Sequence, residues 1–148
     1  MGHTYVVQFV HCVFSTKGRR RLIPIEVQPR LWEFIGGVAR TNGFKALIVG
    51  GTDNHVHVLL SLPSTMALAK AMQSLKGASS RWMNETCTNR FSWQEGYGAF
   101  TIGVSQRADT VRYILGQGEH HRKRDFQAEF LAFLKKHGVE YDERFVLG

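Results

Sequence analysis

The sequence is poor in cysteine, in acidic residues and in long apolar runs, and each shortage excludes a class of protein. Cys12 and Cys87 are the two cysteines among 148 residues, too few for a disulfide framework and not spaced as metal ligands. No apolar run approaches the roughly 18 residues of a membrane helix. No basic-then-apolar signal segment precedes the first strand-like pattern. We therefore expect a cytoplasmic protein that does not bind membranes.

Basic residues are plentiful by comparison. Lysine and arginine number 19 against 12 aspartates and glutamates, a net charge of +7. This balance favours a polyanionic partner, and nucleic acid before a lipid surface because no lipidation motif is present. A hydrophobic fraction of 43% in a chain of this length supports one domain with its own core. We expect a single domain over residues 1–148, with a catalytic core of about residues 4–121 and a helical C-terminal tail of about residues 122–148.

The order of strand-like and helix-like patterns predicts an α+β fold. Gly50 to Asn54 is a turn cluster, Ser64-Thr65 and Asp109 are expected helix caps, and Gly138 is a helix stop. The predicted strands cover about residues 4–15, 44–49, 55–62 and 97–105, and the predicted helices about 25–41, 65–85, 110–121 and 126–137. This order is the ferredoxin-like split βαβ with an antiparallel four-stranded sheet, to which a tyrosine-bearing helix and a C-terminal helix are added.

Two histidines one residue apart lie in the third predicted strand, within the run 55–60 (HVHVLL). Successive strand side chains point to opposite faces, so His55 and His57 share one face while Val56, Val58 and Leu60 share the apolar one. Two imidazoles at this spacing suit one bound cation. The residues alone also allow a second interpretation, in which both rings hydrogen-bond to neighbours or water.

A tyrosine and a glutamine stand one turn apart in the helix predicted over residues 110–121. Val111, Ile114 and Leu115 fall on one face, and Tyr113 and Gln117 lie one above the other on the far side. A tyrosine outside the apolar face is available as a nucleophile that can form a covalent ester with phosphorus. A glutamine carbonyl oxygen can bind a hard cation. A surface tyrosine beside a glutamine is the alternative.

Taken in order, these features resemble those of the HUH-type single-tyrosine transposases, the small enzymes of the simplest bacterial insertion sequences, and of their repeat-associated (REP) relatives. The resemblance covers nearly the whole chain. Its strongest marks are the histidine–hydrophobe–histidine motif and the tyrosine helix. The opening strand with its basic turn, part of the second helix and an aromatic stretch before the last strand support it. In the sequence these segments are His11–Arg19, Asn54–His57, Leu75–Trp82, Trp93–Phe100 and Tyr113–His121.

The resemblance implies a chemistry and a set of site residues. His55 and His57 would bind a divalent cation, Mg²⁺ or Mn²⁺, with Gln117 as a further ligand and no small-molecule cofactor. Tyr113 would attack single-stranded DNA, giving a 5′-phosphotyrosine and a free 3′-hydroxyl, so that DNA is nicked and rejoined near hairpins. Because imidazole ligands suit Mn²⁺ better than Mg²⁺, we expect Mn²⁺ to bind more tightly.

The partners implied are single-stranded DNA hairpins and a second copy of the chain. A lone split βαβ sheet leaves an edge strand and part of one face uncovered, and the glycines at 116 and 118 suit a helix that moves. We therefore expect a homodimer whose active sites are shared between subunits. Basic side chains in the turn after the first strand, in the second helix and after the tyrosine are expected to contact DNA: Lys17, Arg19, Arg20, Arg21, Lys76, Arg81, His120, His121 and Arg122.

A module that binds nucleic acid without cutting it is the main alternative. An RNA-recognition domain on this topology needs a basic-Gly-aromatic strand motif, which the sequence around Phe100 lacks. A domesticated relative that still binds hairpins would keep every catalytic position intact. The sequence therefore leaves that second possibility open.

Overall fold

A computed structural model describes residues 2–87, 90–120 and 125–146. The elements follow one another in the predicted order β-α-β-β-α-β, with helices appended. In chain order they are β1 (Phe9–Ser15), α1 (Gln28–Thr41), β2 (Lys45–Gly51), β3 (His55–Ser61), α2 (Leu68–Thr86), β4 (Gly98–Ile102), α3 (Arg107–Leu115), α4 (Gln117–His120) and α5 (Phe126–Lys136).

The four strands form one antiparallel sheet in the order β2-β3-β1-β4. Val13 of β1 lies opposite His57 of β3, and Ser15 lies opposite His55. This is the ferredoxin-like arrangement, so the predicted fold class is confirmed. Because β3 has a strand on either side, ladder hydrogen bonds hold the backbone that carries both histidines.

Helices cover both faces of the sheet. Val56, Val58 and Leu60 pack in the larger core with residues of α1 and α2, which confirms the predicted apolar face. The opposite face, which includes Leu59 and Val13, packs against residues of α3 and α5. The expectation that one face would be left partly uncovered is therefore wrong, because this chain covers it with its own appended helices.

The first and last strands are shorter than predicted. β1 begins at Phe9 instead of Thr4, and Tyr5 is 91% exposed. The neighbouring strands β3 and β4 end at the residues paired with Phe9, and a last backbone hydrogen bond, from the Leu62 N–H to the Gln8 carbonyl, closes the ladder. β4 ends at Ile102, three residues early, and a 3₁₀ turn follows over residues 104–106.

β2 runs further than predicted, because Gly50 and Gly51 belong to the strand instead of a turn. Gly50 pairs with His57 and lies beneath α3. A Cβ at position 50 would lie only 2.5 Å from the carbonyl oxygen of Ile114. The glycine therefore permits a close approach of α3 to the sheet.

The first residues of α2 and α3 differ from the predictions, and the predicted helix over residues 110–121 is interrupted. α2 begins at Leu68, without a side-chain cap from Thr65. Asp109 lies inside the first turn of α3, where it pairs with Arg112, and does not cap the helix. α3 ends at Leu115, which is 66% exposed and so is not part of an apolar face, and the next residue separates α3 from α4. No helix within the described residues is long and apolar enough to cross a membrane.

Candidate active site

His55 and His57 lie side by side on the sheet face that α3 and α5 cover. Alternation along β3 puts them on that face, as predicted, and both side chains are fully buried. Their ring centroids are 5.2 Å apart. Buried ring nitrogens need a partner in the protein or a bound ion, so the surroundings of each nitrogen are informative.

The two nitrogens of His55 face different oxygen atoms. Nδ1 is 2.9 Å from Asn54 Oδ1 and 2.9 Å from the Thr52 hydroxyl oxygen. Nε2 is 2.9 Å from Gln117 Oε1. The ring is therefore held on one side by residues of the turn between β2 and β3, and on the other side by Gln117 of α4.

The orientation of the two amides decides which nitrogen of His55 carries the proton. The Asn54 NH₂ group donates to the backbone carbonyl of Arg19 at 3.4 Å, which leaves Oδ1 to accept from His55 Nδ1–H. The Gln117 NH₂ group donates to the Tyr113 carbonyl at 3.3 Å, which turns Oε1 toward His55 Nε2. A neutral imidazole has one N–H. Nε2 and Gln117 Oε1 are at hydrogen-bond distance, and with the imidazole proton on Nδ1 both atoms could bind one cation.

His57 lies between a histidine and a glutamate. Its Nδ1 is 2.8 Å from Nε2 of His11, and its Nε2 is 2.9 Å from Glu129 Oε1. Burial and the neighbouring His57 lower the pKa of His11 to about 3. His11 is therefore neutral at physiological pH and can donate or accept at Nε2.

A buried carboxylate from α5 completes the cluster. Glu129 is 1% exposed. Its Oε1 contacts His57 and lies 3.6 Å from His55 Nε2, and its Oε2 accepts a hydrogen bond from the Tyr113 hydroxyl. One residue of the C-terminal helix thus touches the tyrosine and both histidines.

The sequence analysis missed Glu129 and gave His11 no role, although α5 carries a signal. Glu129 shares one helix face with Phe126, Phe130 and Leu134, all of them buried. Burying each of these apolar side chains contributes about 1.5–3 kcal/mol, which holds α5 against the sheet. A glutamate on such a face is almost never buried without a partner, so its position indicates a site.

The structure brings Tyr113 and Gln117 to the histidines. The Tyr113 and His57 ring centroids are 5.7 Å apart, and Gln117 is 1% exposed. Gly116 interrupts the helix between α3 and α4, and Gln117 is the first residue of α4.

Three of these residues lie close enough together that they could hold one metal ion. One atom each from His55, His57 and Glu129 all lie within 4.8 Å of one another. Two ligands about 2.1 Å from a cation lie about 3.0 Å apart when they are at right angles. The 2.9 Å separations from Gln117 Oε1 to His55 and from Glu129 Oε1 to His57 fit that spacing. Two imidazole nitrogens with carboxylate and amide oxygens suit Mn²⁺ better than Mg²⁺.

The basic turn lies at the end of β1. Lys17, Arg20 and Arg21 are exposed and Arg19 is half-buried. Arg21 Nε is 3.7 Å from the Asp53 carboxylate. The turn presents three exposed cationic side chains close to the turn between β2 and β3 that precedes His55. Their contact with DNA stays a prediction.

The second helix holds the next two predicted DNA-contacting residues in different settings. Lys76 Nζ donates to the carbonyls of residues 94, 95 and 96 at 2.7, 3.2 and 2.8 Å. Burial lowers the pKa of Lys76. Arg81 is exposed on α2. The side chain of His120, and all of His121 and Arg122, lie outside the part of the chain that the structure describes.

Two clefts flank the cluster. The first, of about 380 Å³, lies between α3 and α5 and is lined by Tyr113, His11, Phe133 and Lys136 among others. The second, of about 650 Å³, is lined by Arg21 of the basic turn and the residues just after it, by residues of the β2–β3 hairpin and by the start of α5. Tyr113 is therefore reached from the first cleft, and the second lies beside the basic turn.

Comparison with known proteins begins with a family model. The model described as transposase IS200 like matches residues 4–117. The ISDra2 transposase TnpA of Deinococcus radiodurans is 28% identical over 123 residues, which cover 78% of this chain and 87% of that protein. The transposase for insertion sequence element IS200 of Salmonella typhimurium is 27% identical over 129 residues, covering 82% and 84%.

Solved structures agree with the fold. A candidate transposase from Deinococcus radiodurans aligns with a TM-score of 0.64 and 26% identity, covering 79% of this chain and 96% of that chain. A REP-associated tyrosine transposase bound to a REP hairpin aligns with a TM-score of 0.61 and 18% identity, covering 82% and 73%. The family match includes His55, His57, Tyr113 and Gln117 and ends before α5. The chain belongs to the IS200-like transposase family.

Proposed function

We propose that the protein nicks and rejoins single-stranded DNA near hairpins, with Tyr113 as nucleophile and a divalent cation held by His55, His57, Gln117 and Glu129. The observation that carries this proposal is the buried cluster, in which a tyrosine hydroxyl, two imidazoles, an amide oxygen and a carboxylate converge. Burying so many polar groups costs free energy unless they are satisfied. A site for a cation and a phosphate accounts for so many polar side chains in one buried cluster.

The Tyr113 hydroxyl supplies the nucleophile in the proposed step. Its oxygen attacks the phosphorus, the new Oη–P bond forms, and the bond from phosphorus to the 3′-oxygen breaks. The phenol loses a proton and the 3′-oxygen gains one, so the products are a 5′-phosphotyrosine and a 3′-hydroxyl. Attack by a 3′-hydroxyl reverses the step and rejoins strands. In the structure the Glu129 carboxylate holds the phenol by its O–H.

The cation site is assigned to four side chains. Nε2 of His55, Nε2 of His57, Oε1 of Gln117 and Oε1 of Glu129 would hold the ion. When bound, a divalent cation neutralises charge on the phosphate as the bond breaks. Glu129 adds one negative charge to the neutral imidazoles, which strengthens the attraction for a divalent cation over that of two histidines alone.

Single-stranded DNA hairpins are the proposed partner. The net charge of +7 and the exposed basic turn of Lys17, Arg20 and Arg21 support phosphate contacts. The cleft lined by Tyr113 gives an unpaired strand a place beside the reacting phosphate, and the second cleft adds a groove next to Arg21 of the basic turn. A REP-associated relative with the same fold is bound to a REP hairpin, which supports the same class of partner here.

The expected homodimer with shared active sites stays a prediction. Tyr113 already lies beside His57 of its own chain, so a site within one subunit needs no rearrangement. Mixing Tyr113→Phe protein with a His55→Ala/His57→Ala double variant separates the two arrangements. Partial recovery of cleavage in proven heterodimers indicates shared sites, and no recovery indicates that each chain carries its own.

Cleavage of single-stranded palindromes that flank the gene tests the proposed function. With Mn²⁺, a 3′-labelled strand should shift to a protein adduct and a 5′-labelled strand should yield a shortened fragment. His55→Ala, His57→Ala and EDTA should each abolish both products, whereas His3→Ala, at an exposed histidine, should not. Cleavage that persists in EDTA contradicts the cation role. Hairpin binding without any cleavage indicates the non-catalytic module instead.

A further inference from the structure

His11 has no part in the proposed chemistry, yet it contacts one proposed ligand directly. It lies two residues before Val13, the partner of His57 in the β1–β3 ladder, so both rings project from the same sheet face. His11 Nε2 is 2.8 Å from His57 Nδ1, which is hydrogen-bond distance. His11 is 4% exposed. The two buried imidazoles are therefore hydrogen-bonded to each other.

Such a bond can run in either direction, because each neutral ring has one N–H and one lone pair. In the structure, His57 Nε2 faces Glu129 Oε1 at 2.9 Å. An ionised carboxylate only accepts, so this nitrogen carries the proton and His57 Nδ1 accepts from His11. With a cation on Nε2, the proton of His57 must be on Nδ1, and His57 then donates to His11.

We propose that His11 is a positioning residue that lets His57 change tautomer on cation binding without losing its hydrogen bond, an inference that rests on the proposed cation site. Before binding, the two N–H groups are on Nε2 of His57 and Nε2 of His11. After binding, they are on Nδ1 of each ring, so the number of protons is unchanged. His11 also lines the cleft between α3 and α5, which gives its ring a route to a proton from water.

The contrast with His55 shows why one histidine needs such a partner and the other does not. His55 Nδ1 faces Asn54 Oδ1, which can only accept, and the Thr52 hydroxyl, which can accept as well as donate, so a proton on Nδ1 has partners with or without a cation. His57 must exchange its tautomer. Its neighbour is His11, whose Nε2 donates a hydrogen bond in one tautomer and accepts one in the other.

Nuclear magnetic resonance on protein labelled with ¹⁵N in its histidines tests the tautomers directly. The full chain without DNA is titrated with Zn²⁺, a diamagnetic ion that imidazoles bind well. We expect His57 and His11 each to move the proton from Nε2 to Nδ1, and His55 to keep it on Nδ1. If Zn²⁺ does not bind, the proposed cation site fails and the inference falls with it. If Zn²⁺ binds and the tautomers of His57 and His11 do not change, the inference alone is overturned.

Substitutions of His11 give a second readout, the Mn²⁺ affinity measured by electron paramagnetic resonance. Removing the partner of a metal-bound histidine lowers metal affinity about 10- to 100-fold, and we expect this of His11→Leu. His11→Gln, whose amide both donates and accepts, should restore part of the affinity. His3→Leu is the control, since it makes the same substitution at an exposed histidine.

If His11 served only to pack the core, the expected results would differ. His11→Leu would then bind Mn²⁺ as the unaltered protein does, and His11→Gln would gain nothing over it. Either result overturns the inference. Thermal unfolding of each variant shows what fraction is folded at the assay temperature, and the tautomer experiment needs no substitution at all.

Discussion

Gly50→Ala tests whether the close approach of α3 to the sheet positions Tyr113. The added methyl would lie 2.5 Å from the carbonyl oxygen of Ile114 and 3.0 Å from its Cγ2. Ordinary carbon–oxygen contacts are about 3.3 Å, so α3 has to move outward by about 0.8 Å. The obstructing oxygen belongs to the backbone and cannot rotate aside. Because Ile114 directly follows Tyr113, the nucleophile moves with it.

The expected losses follow from that displacement. Misplacing a reacting group by about 1 Å costs up to about 100-fold in rate, so adduct formation in a single turnover should slow by about 10- to 100-fold. Overpacking a tight contact costs about 1–3 kcal/mol in the free energy of unfolding. Labelled hairpin DNA measures the rate, and urea denaturation measures stability. Hairpin affinity should change less than the rate, since the added methyl meets the backbone of α3 and none of the exposed basic side chains.

Gly77→Ala is the matched control. Nothing lies within 4 Å of a Cβ at that position of α2, so alanine should stabilise the helix by up to about 1 kcal/mol and leave the rate unchanged. A folded Gly50→Ala protein that forms adduct at the unaltered rate would refute the argument that this contact sets the position of Tyr113.

Four further predictions concern the stability of a variant, thiol reactivity, stability at alkaline pH and binding. Lys76→Met should lower the free energy of unfolding in urea by about 1–3 kcal/mol, because three carbonyls lose a charged donor, and equal stability of Lys76→Met and Arg81→Met would be evidence against it. Cys87 is exposed and should react with a thiol reagent in the native protein, whereas Cys12 should react only after unfolding; a native count of two would contradict this. Burial raises the pKa of Cys12 from 9.0 to about 12, so the unfolded thiol ionises first and stability should fall as pH rises from 9 toward 12, which alkaline urea titrations can measure. Hairpin affinity should fall roughly 1,000-fold between about 50 and 200 mM salt if about six phosphates are contacted, and a flat salt response would argue against phosphate binding.

Patterns confined to single elements predicted the fold and part of the site. Strand alternation identified the face that carries His55 and His57, because the period of two is independent of the rest of the structure. Helical spacing likewise put Gln117 one turn from Tyr113, and the structure keeps the two together even though the helix breaks between them.

The rest of the site depends on contacts between distant parts of the chain. The bond from His11 to His57 spans 46 residues, and that from Glu129 to His57 spans 72. Every residue of β1 is buried, so its sequence does not indicate which face His11 occupies. The burial of Glu129 could be inferred from α5, but its partners depend on where α5 packs. The start of β1 at Phe9 is set in the same way by the ends of its neighbours.

Mass spectrometry of the purified protein–DNA adduct tests the central claim most directly. After nuclease and trypsin digestion, the peptide that contains Tyr113 should carry a nucleotide joined through a 5′-phosphate, and Tyr113→Phe protein should give no adduct while still binding the hairpin. A nucleotide attached to any other residue, undiminished adduct from Tyr113→Phe, or cut DNA with no covalent intermediate would contradict the assignment of Tyr113 as the nucleophile.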